Sequence, residues 1–222
     1  LISEFALTRT VRDCAALLDA VQGPAPGDPY QIPSPARAYS LEVTTAPRPL
    51  RIGVLTEVEE AAVHPECLAA VEQTLTLLGE LGHQVEESHP DATGSPELLE
   101  ATIAIISSAQ ARDVEKLGTL AGREIGPQDL DCDNWSVTQI GQQVSATRYL
   151  AAVETQQAYQ RRVAAWWADG FDVLVTPTIT GLPPRVGEIC PDPAKPLDAF
   201  MRSGNLLAFT LPFNITGQPA LS

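Results

Sequence analysis

Side-chain catalysis needs a nucleophile beside a base, a bound metal, or a pair of carboxylates. The chain holds only two lysines, Lys116 and Lys195. Lys116 falls at the expected C-terminal end of a helix, where a cation complements the dipole. Lys195 lies in Pro193-Ala194-Lys195-Pro196, a loop with no evident burial to depress its pKa. No G-x-S-x-G turn and no S-x-x-K is present. Cys132 stands between Asp131 and Asp133, neighbours that raise a thiol pKa rather than activate it. His64, His83 and His89 flank helix or strand ends without an H-x-x-x-H spacing, so they read as caps and turn residues. Neither a metal nor a cofactor is expected. Glu59-Glu60 and Glu86-Glu87 read as solvated faces, and Trp166-Trp167 as core and rim. These residues do not compose a complete active site.

Composition narrows the partners. The chain has 222 residues, 44% of them hydrophobic, enough for a sizeable core. Its net charge of −14 repels nucleic acid and anionic membranes and leaves a neutral or cationic small molecule as the natural partner, although acidic excess also serves solubility. No apolar run is long enough to span a bilayer, and Leu1 to Ala6 lack the basic cluster of a signal peptide. Four cysteines without a C-x-x-C pair fit reduced thiols in a cytoplasmic protein.

The elements follow from periodicity. Val11, Cys14/Ala15, Leu18 and Val21 predict a helix over 8–21, ended by Gly23-Pro24. Seven prolines between Pro24 and Pro49 then predict a surface loop. Residues 51–55 read as a buried strand. His64-Pro65-Glu66 starts a helix striped by Leu68, Val71, Leu75, Leu78 and Leu81 and stopped by Gly82. Residues 83–87 form a second strand. Strand, helix and strand so closely joined make a right-handed parallel crossover, which places the chain in the α/β class. Ser95-Pro96-Glu97 caps a helix to about Lys116. Ser136-Val137-Thr138-Gln139 reads as a capping box for a helix running to Trp167, with Gly141 as its soft point. Phe171 to Thr176 is the clearest strand, its consecutive branched residues implying burial on both faces. A second proline-rich loop leads to a short helix near 198–207. The chain opens on Leu1 rather than Met and closes on Gln218-Pro219-Ala220-Leu221-Ser222, an apolar segment resembling the start of a strand; both ends are expected to be truncations.

Four stretches, in order, resemble the C-terminal half of an amidase signature enzyme. They are Thr8 to Asp19 followed by Gly27-Asp28-Pro29, Leu50 to Leu55 with the later Leu81 to Val85, Gly170 to Thr178, and Phe209 to Ser222. Trp135, the Trp166-Trp167 pair and the closing segment further resemble the aminohexanoate cyclic-dimer hydrolase branch of that family. The resemblance implies a mixed β-sheet core covered by helices, with residues 1–222 forming the C-terminal portion of a single amidase domain. It also implies carboxamide hydrolysis by a serine nucleophile, a bridging serine in a cis peptide and a lysine, with backbone N–H groups holding the oxyanion. In the family those three residues precede the region matched here, so no catalytic residue is carried over. What is carried over is one wall of the substrate pocket: Ile106 and Ser107 on a helix, with Thr210, Phe213 and Asn214 near the core strand. Asn214 and Thr210 supply the few oriented polar groups that a mostly apolar pocket needs, although Asn-x-Thr-Gly is also ordinary loop chemistry before a strand. The expected partners are a small amide substrate and the remaining, N-terminal half of the same protein, with no nucleic acid or membrane. A domain exposing core surface also tends to associate, as in a homodimer. Two other readings stand beside this one: a self-standing, non-catalytic α/β binding or regulatory module, and a cysteine hydrolase, which lacks any recognisable base.

Overall fold

The computed structural model describes residues 5–30, 32–58, 61–90 and 96–222. The Glu59-Glu60 pair and the Ser95 cap lie outside the described residues. The chain divides into two compact units, Ile2–Pro49 and Leu50–Ser222.

In the first unit, α1 spans Val11–Val21, and its Thr10 cap accepts a hydrogen bond from the Asp13 amide at 3.1 Å. The periodic stripe is present, but of its members only Ala15 is buried, and Val11 and Val21 are each 63% exposed. The proline-rich loop is interrupted by a four-residue helix, α2 (Tyr39–Glu42), which the proline count concealed. Its start is fixed from a distance. Asp19 on α1 accepts the amides of Tyr39 and Ser40 at 2.6 and 3.0 Å.

The second unit is α/β. Strands β1 (Arg51–Val54), β2 (Gln84–Glu86) and β3 (Val173–Val175) form a parallel sheet in the order β2-β1-β3. Between β1 and β2 runs α3 (Pro65–Glu80), capped by His64, whose ring accepts the Glu66 amide at 3.2 Å. Of its leucine stripe, Val71 is buried, whereas Leu68 and Leu81 are exposed. β1 lies at the centre of the sheet, and its Ile52 and Val54 are buried. Trp166 covers it, stacked on Phe171 with ring centroids 4.1 Å apart and donating its Nε1–H to Ser88 Oγ at 2.9 Å. That geometry answers the core role expected of Trp166.

Three helices connect β2 to β3: α4 (Pro96–Ala121), α5 (Cys132–Gln142) and α6 (Ala146–Ala168). Here two expectations fail. The helix expected from Ser136 to Trp167 is two helices, because better caps stand elsewhere. Asp131 accepts the Asn134 amide at 2.9 Å to start α5, and Ser145 accepts the Arg148 amide at 3.2 Å to start α6. Ser136 sits inside α5 and donates its hydroxyl to the Cys132 carbonyl. Lys116 is not terminal either, since α4 continues to Ala121 and the lysine pairs with Asp113 at 2.8 Å.

β3 departs from its reading as well. It is an edge strand, and Val173 is 38% exposed rather than covered on both faces. Beyond it come α7 (Asp198–Leu206) and α8 (Leu211–Thr216). The segment expected as a loop before a strand is therefore helical. Gly217, with φ 71°, ends it in the left-handed conformation that an L side chain resists, and its amide donates to the Phe213 carbonyl. No strand follows Gly217. Two apolar clusters hold the unit: Leu98, Tyr159, Val163 and Ile215 in one, Ala101, Ala104 and Ala152 in the other. Among the described residues, no helix is long and apolar enough to cross a membrane.

Candidate functional site: a pocket wall on α4, α7 and α8

Small residues let α4 and α5 approach closely. Ser107, fully buried, presents its carbonyl to Gly141 of α5. Next to this crossing lies an apolar cavity of about 50 Å³, lined by Ile106 and Ser107 of α4, Val137 and Ile140 of α5, and Leu197 and Phe200 at the start of α7. The Ser107 hydroxyl donates to the Ala104 carbonyl at 3.3 Å, a bond within its own helix.

The outer wall of this cavity depends on Asp133. Its buried carboxylate accepts the amides of Leu197 at 3.1 Å and Phe200 at 2.9 Å, capping α7 from another helix. Among the described residues Leu197 alone, apart from glycines, has a positive φ, 73°. Such a conformation costs on the order of 1 kcal/mol and persists where the surroundings hold it. Asp133→Ala leaves two amides without their acceptor, so we expect a loss of about 2 kcal/mol and a Tm lower by roughly 4–8 °C. Asp133→Asn keeps one acceptor oxygen and should lose about half of that. Thermal unfolding, with hydrogen exchange read at Leu197 and Phe200, checks both.

The second group of sequence candidates stands on α8. Thr210 precedes the helix and donates its hydroxyl to the Leu207 carbonyl at 3.2 Å, without capping α8. Phe213 and Asn214 are half-buried. α6 holds α8 in place: Gln160 Nε2 donates to the Ile215 carbonyl at 2.7 Å, and the Ile215 side chain packs on Leu98, Tyr159 and Val163. Thr180 ties the C-terminal end of α7 to the segments that follow β1 and β3. Its amide donates to the Leu206 carbonyl, its hydroxyl to the Asn205 carbonyl, and its own carbonyl accepts the His64 amide at 2.8 Å. The segments following β1 and β3 thus meet the α7–α8 junction at one buried threonine. Thr210, Phe213 and Asn214 are not among the residues lining the α4–α5–α7 cavity, so the two candidate groups stand apart. Asp133, Gln160 and Thr180 went unrecognised in the sequence, where only the D-C-D triplet gave a signal, and it pointed to Cys132.

The histidines and Cys132 are structurally engaged. His64 and His83 accept backbone amides through Nδ1, and His89 Nδ1 lies 2.8 Å from the Pro90 carbonyl. Burial, and then the hydrogen bond to Asp133, push the Cys132 thiol above its usual range, the direction its neighbours suggested. Lys195 is exposed. Among the described residues no three His, Cys, Asp or Glu side chains converge as a metal would require. The Trp167 Nε1–H is buried without a protein acceptor.

Between α4 and α5, Arg123 grips Asp129 with two hydrogen bonds of 2.7 and 2.8 Å, and the Gly126 amide adds a third at 2.9 Å. The Arg123 bonds first, and then the Gly126 amide, lower the Asp129 pKa from 3.8 to about 2. A depressed carboxylate lends stability that is whole above its unfolded-state pKa and is lost as pH falls through its folded one. This loop should therefore keep its protection at pH 4 and lose it as pH falls towards about 2. An NMR titration of the Asp129 carboxyl checks this, and a midpoint near 3.8 would rule out the grip.

Comparison with known proteins decides the family. The amidase family profile matches residues 6–222. The chain belongs to the amidase family. It is 39% identical over 222 residues to the 6-aminohexanoate-cyclic-dimer hydrolase of Paenarthrobacter ureafaciens, a match covering 96% of this chain and 45% of that relative. Against the enzyme of the same name from Pseudomonas sp. (strain NK87) it is 38% identical over 221 residues, with the same two coverages. A solved structure of 6-aminohexanoate cyclic dimer hydrolase complexed with substrate superposes with a TM-score of 0.87 at 35% identity, over 95% of this chain and 45% of that one. This amidase chain thus spans less than half the length of the relatives it matches, and it corresponds to their C-terminal part.

Proposed function

We propose that this chain is the C-terminal portion of a single amidase domain that hydrolyses carboxamides, its serine, bridging cis-serine and lysine lying on residues outside the chain. One observation carries the reading. The chain matches amide hydrolases along nearly its whole length, yet it spans 45% of them and, among the described residues, no serine, threonine or cysteine side chain is hydrogen-bonded to a histidine or lysine. In this reading the lysine deprotonates the bridging serine, which takes the proton of the nucleophile, and backbone amides hold the oxyanion.

The chain's own contribution is one wall of the substrate pocket. Ile106 supplies apolar surface on α4 with the buried Ser107 beside it, while Thr210 just before α8 and Phe213 and Asn214 on it supply apolar area and a few oriented polar groups. The apolar character of the α4–α5–α7 cavity suits an aliphatic or aryl amide better than a charged one. Given the names of its relatives, 6-aminohexanoate cyclic dimer is the first substrate to try.

The test is an assay of the purified 222-residue chain with aryl amides, amino-acid amides and 6-aminohexanoate cyclic dimer. No turnover is expected. Turnover that survives rigorous purification would overturn the placement of the catalytic residues. The gene sequence upstream of Leu1 provides the complementary check: it should encode a lysine followed by a Gly/Ser-rich run. A gene without them would favour a non-catalytic binding module.

A further inference from the structure

Helix α7 is held at both ends by residues from elsewhere in the fold. The first amides of a helix need acceptors, yet Leu197, which precedes α7, has an apolar side chain and makes no cap of its own. Residues 190–196, which lead into it, are all exposed. The acceptor comes instead from α5: Asp133 Oδ1 takes the Leu197 amide and Oδ2 the Phe200 amide. At the opposite end, Thr180 binds the Asn205 and Leu206 carbonyls. Held between these anchors, Leu197 and Phe200 close the apolar cavity over Ile106, Ser107 and Ile140. Its volume is about 50 Å³, whereas an apolar protein cavity that takes up benzene measures roughly 150 Å³.

We propose that Asp133 is a positioning residue for substrate size: acting through Leu197 and Phe200, it limits the group admitted beside Ser107 to one smaller than an aromatic ring. The inference rests on the proposed function in one respect, that this cavity belongs to the substrate pocket. Asp133 is not among the residues lining the cavity, so its effect passes through α7. Leu197 holds φ at 73°, a conformation that an unrestrained leucine leaves. Loss of the Asp133 anchor therefore relieves strain as it removes two hydrogen bonds. The N-terminal end of α7 is then free to pivot about Thr180, carrying Leu197 and Phe200 away from Ser107. A carboxylate suits the task because three donors converge on it, the Cys132 thiol lying 3.5 Å from Oδ1. An asparagine would keep one oxygen and turn an N–H donor towards the other backbone amide.

Uptake of apolar probes by the purified chain tests this, with xenon and benzene binding read from the methyl signals of Ile103, Ile106 and Leu197. The unaltered chain should take up xenon and not benzene. Phe200→Ala opens the cavity directly and Asp133→Ala opens it through α7, so each should bind benzene about 10-fold or more tightly than the unaltered chain. Asp133→Asn should fall between, and it decides the matter if Asp133→Ala does not fold. The double variant should bind benzene no better than Phe200→Ala, because both changes act on one wall. An aspartate that only stabilises would lower the Tm and leave the choice between probes unchanged. Benzene admitted by the unaltered chain, by Phe200→Ala alone or by neither variant would overturn the inference. In the longest product its gene encodes, Asp133→Asn should raise kcat/KM for benzamide relative to butyramide by about 5-fold or more, through KM rather than kcat. An unchanged ratio would overturn the role in substrate selection. Absence of amide hydrolysis by that product, unaltered, would remove the functional reading and leave the control of the cavity standing.

Discussion

Replacing Gly141 by alanine should lower the Tm by about 6 °C, although alanine is ordinarily the better helix former. Intrinsic propensity favours Gly→Ala inside a helix by about 1 kcal/mol. At position 141 that gain meets a steric cost. A Cβ there would fall well inside contact distance of the Ser107 carbonyl and carbon, and 3.0 Å from the Ala111 Cβ. These are backbone and first-carbon atoms of α4, so no side chain can swing aside, and the two helices would have to separate. Overpacking of this kind costs about 3 kcal/mol, which outweighs the propensity gain by about 2 kcal/mol and converts to roughly 4–8 °C for a chain of this size. Gly79 of α3 is the control, because a Cβ there meets nothing within 4 Å. Gly79→Ala should raise the Tm by a few degrees. Equal effects at the two positions in a thermal melt would rule out the close crossing. The change should also enlarge the α4–α5–α7 cavity, since Ser107 belongs both to the crossing and to the lining.

At the centre of β1, Gly53→Ala is expected to cost about 3 kcal/mol and to disturb the environment of Trp166. Strand interiors ordinarily gain from losing a glycine, so the sign is again opposed to propensity. A Cβ at 53 would strike the Ser88 carbonyl and the Trp166 ring, whose Cη2 would lie 2.7 Å away. The indole cannot retreat. It is stacked on Phe171 at 4.1 Å and tied to Ser88 Oγ, while Arg51 covers the opposite face of Phe171 with its guanidinium 3.9 Å from the ring centroid. The measurement is thermal unfolding together with near-ultraviolet circular dichroism of the tryptophans. Trimming Trp166 to leucine in the Gly53→Ala background should recover only part of the shape penalty, because the Ser88 carbonyl remains in place. An unperturbed tryptophan signal in Gly53→Ala would show that the ring does not lie over β1.

Legibility followed distance along the chain. The α3 start is readable because its cap acts within two residues, His64 on Glu66, whereas the reading of a helix from residue 8 overshoots the α1 start, which the Thr10 cap sets at Val11. β1, α3 and β2 were readable because a crossover unit leaves its periodicities in sequence order. The Ser136 capping box misled for the same local reason: the right letters were present, but Asp131 had already begun the helix. β3 misled differently, since its composition describes covered faces and an edge position carries no local mark. The candidate pocket residues fall in two places, Ile106 and Ser107 on the cavity and Thr210, Phe213 and Asn214 on α8, a division that only the packing reveals.

The sequence by itself determined the α/β class, the order of the main elements, the resemblance to amidases and the lack of a G-x-S-x-G or S-x-x-K motif. Each is written in residue types or in periods of two to four residues. Tertiary structure decided which glycines are indispensable, why α5 and α6 separate, what holds α7 and which strands lie at the edges of the sheet. Those features join residues far apart in the chain, as when Asp133 receives the Phe200 amide across 67 positions or Ser88 receives the Trp166 indole across 78. A contact at that separation leaves no period in the sequence, because the partner is chosen by where folding brings the backbone.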